Sequence, residues 1–531
     1  MSVDIRDLPT VDRPAKAHKR RITLIRPAMV SSTGTWSSPV TPPLGIAYLA
    51  AVVREAGHDV QAIDALAENV DQYIEDGAYL YQGLTIEETL DRIDPETEMI
   101  GVSCMFTQDW PWIRQLLFEC RERFPHVPII VGGEHITALP EFSLNDCSAI
   151  DFCVLGEGEL TLIDVASCLH DEEKLREVPG IAFIRDGKYT QTCPRGRVTD
   201  VDRLPYPAWD MFPLDPYLDS HNSHGVYRGR SMAILATRGC PYKCTFCSNP
   251  VMYGKLWMAR DPALVLDEIE YYMKKYDATN IDFYDLTMIL KREWILEFCR
   301  LIEERGLQFT WQLPTGTRSE VIDDEVAAAL YRTGCRNVTY APESGSVETL
   351  TKIKKRINLD RLVQSINAAR RQGISVKCNL IIGFPHETRA NVWKTMIFCW
   401  KLAWLGTHDA AVFLYSPYPG SSLFDELRAE GKIGELDETY FRSLVAFMDP
   451  FAPSEYCRHV SGRELLFWRM FGMASFFGLS YLLRPWRFLR LIKNVIRNES
   501  ESVLEQRLGA LVHRPKARKI VAAPETAAAR V

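Results

Sequence analysis

The chain has 531 residues, 47% of them apolar and 25% charged, with a formal net charge of −7. That length allows two or three domains with large cores, and the acidic balance gives no reason to expect a nucleic-acid partner. The fourteen cysteines lack the dense, regular spacing of a secreted disulfide scaffold. Several sit in apolar runs (Cys153, Cys299, Cys378, Cys399), so buried, reduced thiols in a cytoplasmic protein are expected.

Residues 1–20 are polar and mixed in charge, without the apolar run of a signal peptide, and read as a disordered lead. From 21 to 200, strand-like runs at 21–28, 59–64, 99–104, 128–131 and 151–155 alternate with helical patterns at 44–56, 86–93, 109–123 and 160–170. This alternation predicts a doubly wound, Rossmann-like α/β domain, whose ligands bind at the carboxyl ends of the strands. Glycines gather there, as Gly132-Gly133-Glu134-His135 and Gly156-Glu157-Gly158-Glu159. Such pairs either let a ligand approach the backbone or simply make tight turns, and His135 either touches a ligand or caps the following helix. A hairpin is expected around Asp186-Gly187. Residues 201–230, rich in proline, read as an extended linker.

Residues 231–425 repeat one strand–helix unit. Strands are expected at 232–237, 280–285, 309–313, 337–342, 376–382 and 409–415, with helices at 262–276, 292–305, 323–333, 358–372 and 388–404. Asp261 is the expected N-cap of the first of these helices, with Pro262 at its first position. Six such units predict a partial (β/α)6 TIM-type barrel with its active site at the carboxyl ends of the strands. The loop leaving the first strand carries Cys240, Cys244 and Cys247 at Cys-x3-Cys-x2-Cys spacing. Thiolates select iron–sulfur clusters, zinc or Cu(I). An all-cysteine four-iron cluster needs four of them. Three on one loop mean either one metal left open or a zinc closed by a histidine or a distant cysteine. The other strand ends carry Asp285, Thr315, Arg318, Glu343, Ser344, Gly345, Gly383, Glu387 and Tyr415, a polar set that suggests one shared site. Arg318 reads as an anion ligand or as a rim ion pair.

A helical region is expected over 426–513. Arg463 to Leu483 is apolar and aromatic, but its uncharged core of 14 residues, Met470 to Leu483, is shorter than the ~20 needed to span a bilayer. After Pro485, Arg487, Arg490, Lys493 and Arg497 share one helical face and Phe488, Leu489, Leu491, Ile492, Val495 and Ile496 the other. Such a helix can lie at a membrane surface or pack over the barrel mouth. Residues 514–531 read as a disordered tail.

The cysteine spacing with Phe246 before the third cysteine, Ala341-Pro342-Glu343-Ser344-Gly345-Ser346, and Ile381-Ile382-Gly383-Phe384-Pro385 together resemble the radical S-adenosylmethionine (SAM) superfamily. Pro42-Pro43-Leu44-Gly45, the run 101–104 and the two glycine-rich turns resemble the cobalamin-binding domain fused to many of its members. Over roughly residues 20–425 the chain therefore resembles cobalamin-dependent radical SAM enzymes. The resemblance implies a 4Fe–4S cluster on Cys240, Cys244 and Cys247, its fourth iron chelated by the amine and carboxylate of SAM. It implies SAM contacts by Phe246, Arg318, Glu343, Ser344, Gly345 and Gly383, and cobalamin contacts by Gly132, Gly133, Glu134, His135, Gly156 and Glu157. Ser103 to Gln108 would lie beneath cobalt.

Three departures from the family pattern stand out. No Asp-x-His-x-x-Gly motif follows the first strand, so no histidine ligand to cobalt is expected. Ala341-Pro342 stands where Gly-Ile is usual, and the second strand ends on one acid, Asp285. The implied chemistry is hydrogen abstraction from an sp3 carbon by a 5′-deoxyadenosyl radical, followed by methyl transfer from methylcobalamin. An external flavodoxin- or ferredoxin-type protein would supply the electrons. Phe283–Thr287 and Trp311–Arg318 resemble enzymes that methylate hopanoid-type lipids, which implies a hydrophobic substrate. The alternatives are an oxidative cyclase acting on a tetrapyrrole, such as Mg-protoporphyrin monomethyl ester, or a non-catalytic zinc-binding protein.

Overall fold

A computed structural model of the chain describes residues 19–31, 40–76, 79–219, 223–318, 320–447, 449–513 and 519–522. Nearly all of the expected disordered lead, and most of the tail, lie outside the described residues. The exception in the tail is a strand, Lys519–Ala522, parallel to Gln72–Asp76.

The N-terminal domain is built on β1 (Arg21–Arg26), β2 (Asp59–Asp64), β3 (Met99–Ser103), β4 (Ile129–Gly132), β5 (Phe152–Val154), β6 (Ile181–Arg185) and β7 (Lys188–Gln191). Their order is β7-β6-β5-β4-β3-β1-β2, parallel from β2 to β5. The topological switch point therefore lies between β1 and β3, where open α/β sheets form a ligand crevice. The β6–β7 hairpin is antiparallel, with Asp186 at φ 49° and Gly187 at φ 72°. Both angles are positive, as a type I′ turn requires. Helices α1 (Leu44–Glu55), α2 (Trp110–Arg123) and α3 (Glu159–Cys168) cover the sheet. The helix expected at 86–93 is shorter, Ile86–Leu90, held by a Thr85–Glu88 capping box. A second small sheet pairs Met29–Ser31, Tyr79–Gln82 and Gln72–Asp76 with the C-terminal strand. Strands this short carry too little alternation to be read from sequence.

The barrel consists of β8 (Ser231–Ile234), β9 (Asn280–Phe283), β10 (Thr310–Thr317), β11 (Cys335–Glu343), β12 (Ser375–Ile382) and β13 (Asp409–Leu414), all parallel and in sequence order. Between them run α4 (Pro262–Tyr276), α5 (Arg292–Arg305), α6 (Asp324–Arg332), α7 (Leu359–Arg371) and α8 (Arg389–Leu405). Asp261 caps α4, its side chain accepting from the Ala263 amide at 2.8 Å. Strands β10 and β11 extend further than expected and carry register shifts near their carboxyl ends, the irregularity that re-aims side chains beside active sites.

Residues 201–218 are not an extended linker. They pack tightly because their apolar side chains fill the seam between the domains. Trp209 is buried and donates to the Tyr272 hydroxyl at 3.0 Å, and the Tyr217 hydroxyl donates to Asp64 at 2.6 Å. One hydrophobic core consequently runs from α1 and α3 through Trp209 into the barrel.

The C-terminal helices are α9 (Gly462–Leu483), α10 (Pro485–Arg497) and α11 (Val503–Val512), and the first turn of α9 reaches the end of β12 at Gly383. Helix α9 packs on α8 and β13. A side chain on its Gly472 would meet Met396 Sδ at 2.9 Å and Val412 Cγ2 at 3.3 Å. The Glu501 carbonyl, just before α11, accepts from Asn337 at 3.2 Å and Ser375 at 3.0 Å at the starts of β11 and β12, closing the floor.

Arg238, two residues before Cys240, fastens the domains together. Its Nη1 meets Glu159 at 2.6 Å and Glu157 at 3.3 Å, and its guanidinium lies over the Tyr48 ring at 4.9 Å. Burial disfavours the charge, but Glu159, Tyr48 and Glu157 outweigh that and hold its pKa above the usual value. Removing one partner of a buried pair leaves an uncompensated charge, so Arg238→Ala should lower stability by about 3–5 kcal/mol. Denaturant unfolding checks this.

Candidate active site

The cysteine loop is a tight excursion between Thr237-Arg238 and Met258-Ala259, which pair antiparallel. Thr237 and the Ala236 amide both bond Asp285 at the end of β9, so this acid, pushed up to about 6 by burial, fixes where the loop departs. Gly239 has φ +84°, and a Cβ there would stand 2.1 Å from the Leu256 carbonyl. Only glycine allows the chain to cross at that point.

The three cysteines are free thiols, neither fully buried nor exposed. Burial pushes Cys247 up to about 12 and raises Cys244 as well. Three thiolates at three corners of an iron–sulfur cube stand farther apart than ligands on one zinc ion. Among the described residues no three His, Cys, Asp or Glu side chains are gathered to hold a single ion. Three thiols on one loop suit a cluster with three protein ligands.

Around the loop the structure gathers residues from several strand ends. Phe246 lies 5.5 Å from Phe384 with the rings tilted at 58°. Glu343, at the end of β11, has φ 64°, a strained conformation for a non-glycine residue, and pairs with Lys355 at 2.8 Å. Burial disfavours the Lys355 charge, but Glu343 keeps its pKa raised. Arg318 stacks on Tyr242 of the cysteine loop at 3.4 Å and bonds the Arg356 carbonyl. Its Nη2 is buried without a partner, as are Thr287 Oγ1 and Thr317 Oγ1. Unpaired buried donors and acceptors are expensive, and three of them at adjacent strand ends fit a polar ligand such as SAM. Tyr242 and Lys355 were not singled out from sequence. Lys355 follows a helix rather than a strand, and Tyr242 reads as loop filler until Arg318 lies on it.

Other expected contacts are engaged inside the fold. Ser344 bonds Thr395 at 2.9 Å. A Cβ on Gly345 would stand 2.4 Å from Phe398 Cβ, so this glycine lets the chain press against α8. At Gly383, φ +91°, a Cβ would stand 2.8 Å from Leu465 Cδ1 of α9, and the Gly383 amide donates to Glu387 at 2.7 Å. In the N-terminal domain, Glu157 is an interdomain ion-pair partner, bonded to Arg197 at 2.6 Å as well as to Arg238. His135 caps nothing. It stacks on Trp110 at 4.8 Å, both its ring nitrogens are bonded, to Thr107 and Ser143, and burial pushes its pKa down to about 3. The turn at Gly132 and Gly133 is tight because a Cβ on Gly133 would stand 2.4 Å from the Cys104 carbonyl. Gly156 donates to Thr137 at 3.0 Å.

At the switch point, half-buried Ser103 ends β3. Met105 and Phe106 follow it exposed, and Gln108 Oε1 is buried without a partner. An apolar ledge with an unpaired amide oxygen fits a large, flat macrocycle carrying amide groups. Glu134 accepts a hydrogen bond from Ser248, the residue after Cys247. The short helices Glu134–Ala138 and Asn249–Tyr253 pack together, so the crevice of one domain adjoins the cysteine loop of the other.

Two family models match the chain: a B12 binding domain over residues 36–166 and the radical SAM superfamily over residues 234–399. The chain is 31% identical to an uncharacterized methyltransferase of Pyrococcus horikoshii over 76% of this chain and 82% of that protein. It is 27% identical to cytidylyl-2-hydroxyethylphosphonate methyltransferase of Streptomyces wedmorensis, over 82% of this chain and 86% of that one. The solved structure of OxsB, a cobalamin-dependent SAM radical enzyme with aqua-cobalamin and SAM bound, superposes with TM-score 0.66 at 14% identity. It covers 94% of this chain and 75% of its own and shows the fold. The chain belongs to the family of B12-binding radical SAM methyltransferases, with a 4Fe–4S cluster, SAM and cobalamin as cofactors.

Glu387 holds the turn after β12, accepting from the Gly383 and Phe384 amides at 2.7 and 3.2 Å and from Thr349 at 3.1 Å. Burial pushes its carboxyl up to about 7. Because the folded pKa exceeds the unfolded one, the folded state binds the extra proton. Stability is therefore full below the ordinary carboxylate range and falls as pH rises to about 7. Glu387→Gln should remove up to about 3 kcal/mol of that decline, seen as a smaller difference in unfolding free energy between about pH 5 and about pH 8.

Proposed function

We propose that this protein transfers a methyl group to an unactivated carbon of a hydrophobic substrate of the hopanoid lipid type. The observation that carries this reading is the junction at Glu134 and Ser248, which sets the crevice of the B12-binding domain against the cysteine loop. A carbon held at the barrel mouth lies between the two. When bound, the cluster with SAM supplies the hydrogen-abstracting radical, and cobalamin supplies the methyl group.

The chain's own residues hold and shield these groups. Cys240, Cys244 and Cys247 bind the cluster, with Phe246 and Phe384 forming an aromatic wall beside it. Glu343 binds the amine or ribose of SAM, and the unpaired nitrogen of Arg318 binds its carboxylate. Ser103 and the exposed Met105-Phe106 pair would hold the corrin at the switch point. Water exclusion matters because a carbon radical must meet its methyl donor before any other partner.

Exposed Lys243, inside the cysteine loop, is crowded by Lys255, Lys354 and Arg356. Together with Tyr242 and Lys355, three of these basic residues line a groove of about 790 Å³. Its positive charge suits an acidic, flavodoxin- or ferredoxin-type carrier in the cytoplasm.

Turnover of anaerobically reconstituted protein with methyl-labelled SAM tests the chemistry. Label in the product together with S-adenosylhomocysteine is expected; deoxyadenosine without transferred label would indicate cyclisation instead. Cys244→Ala should abolish deoxyadenosine formation while the fold persists by circular dichroism. For the groove, Lys255→Glu combined with Lys354→Glu should slow reduction by a flavodoxin about tenfold and leave reduction by dithionite unchanged.

A further inference from the structure

The C-terminal amphipathic helix α10 is mounted the wrong way round for a soluble protein. Part of its polar side is drawn inward: Arg487 donates to the Thr407 and Gly406 carbonyls at 2.8 Å, half-exposed Arg490 pairs with Glu501 at 2.7 Å, and Asn494 bonds Glu505 at 3.2 Å. Its apolar side points outward. Trp486, Leu489 and Ile496 each expose more than half of their surface, as do Leu482 and Phe467 on α9 and Trp404 on α8. Stacked and edge-on rings tie the helices together in two runs, from Trp393 through Trp400 to Phe471 and from Phe477 through Tyr481 to Phe488. Contiguous apolar surface spread over three helices marks a docking face.

Charge identifies what it docks on. The chain as a whole carries −7, yet α8, α9 and α10 together hold nine lysines and arginines and a single acid, Glu464. Lys394, Lys401, Arg463, Lys493 and Arg497 stand exposed on these helices. A second copy meeting this face symmetrically would bring basic groups against basic groups. An anionic headgroup layer would instead neutralise them while its acyl region receives the aromatic and aliphatic side chains.

Helix α9 is long and apolar enough to cross a bilayer, but only 28% of its apolar window is buried in the protein. Gly472 and the fully buried Leu465 and Phe476 tie its other side to the barrel. With one flank bound along its length it lies along a leaflet rather than through it. We infer that this protein binds peripherally to an anionic lipid bilayer through the outward faces of α8, α9 and α10. The first turn of α9, where Leu465 meets Gly383, brings one end of this surface to the barrel mouth. The inference concerns where the protein sits, and it stands whether or not the substrate is a lipid.

The test is flotation of the intact, cofactor-loaded protein with phosphatidylcholine vesicles made with and without phosphatidylglycerol. Flotation with the anionic vesicles, weakened by salt, is expected. Leu489→Glu with Ile496→Glu should abolish flotation while leaving the melting temperature and the cluster absorbance unchanged. Lys493→Glu with Arg497→Glu should reduce the bound fraction roughly tenfold, since each basic residue contributes near the surface. Protein that stays unbound to both vesicle types overturns the inference. If that protein is a dimer by light scattering and the Leu489/Ile496 variant is a monomer, the face is an interface between copies instead.

Discussion

The ion pair network at Arg238 is the contact on which the arrangement of this protein depends. A guanidinium sealed between Glu157, Glu159 and the Tyr48 ring cannot shift without leaving charges buried and unpaired. It sits at the root of the cysteine loop, so the same contact that joins the domains also sets where the cluster ligands stand relative to the N-terminal crevice. The packed segment at 201–218 and the shared core reinforce that geometry. Relative domain motion, the usual expectation for a chain with a modest interface, has little to act on here.

Inside the cleft, charge is sparse and paired. Glu343 answers Lys355, Arg318 lies on Tyr242, and Asp285 is consumed by the loop's own backbone. Among the described residues, Arg318 Nη2, Thr287 Oγ1 and Thr317 Oγ1 are unpaired at adjacent strand ends. That suits cofactor chemistry in which the protein orients and excludes water while the bound groups carry the electrons. The long, irregular end of β10 and the strained end of β11 serve the same purpose, placing Arg318 and Glu343 beside the cysteine loop. Gly316 makes room there, since a Cβ on it would meet the Ala341 side chain at 2.6 Å, so Ala341 fits where a smaller residue is usual in the family.

Much of this was legible beforehand for a plain reason. Helices such as α4 and α6 have caps and apolar stripes within one stretch of chain, and the parallel strands are largely apolar runs. The cysteine loop was legible because its ligands are local. What is not legible concerns residues whose contacts depend on a distant neighbour. Glu157 looked like part of a ligand turn until Arg197 and Arg238 reached it from elsewhere in the chain. His135 packs against Trp110, Thr107 and Ser143, and α8 and α9 press on Gly345 and Gly383.

The amino-acid sequence by itself determined two α/β units, where most of their strands and helices lie along the chain and the three thiols on one loop, because local periodicity and spacing encode those directly. Only the tertiary structure decided which side of α10 faces outward, which glycines make room for helices and which carboxylates are already spent holding domains together. The spacing of apolar and basic residues along α10 says that its two sides differ, but not which of them meets the rest of the protein. That direction depends on Thr407, Gly406 and Glu501, distant residues whose carbonyls and carboxylate claim the arginines first.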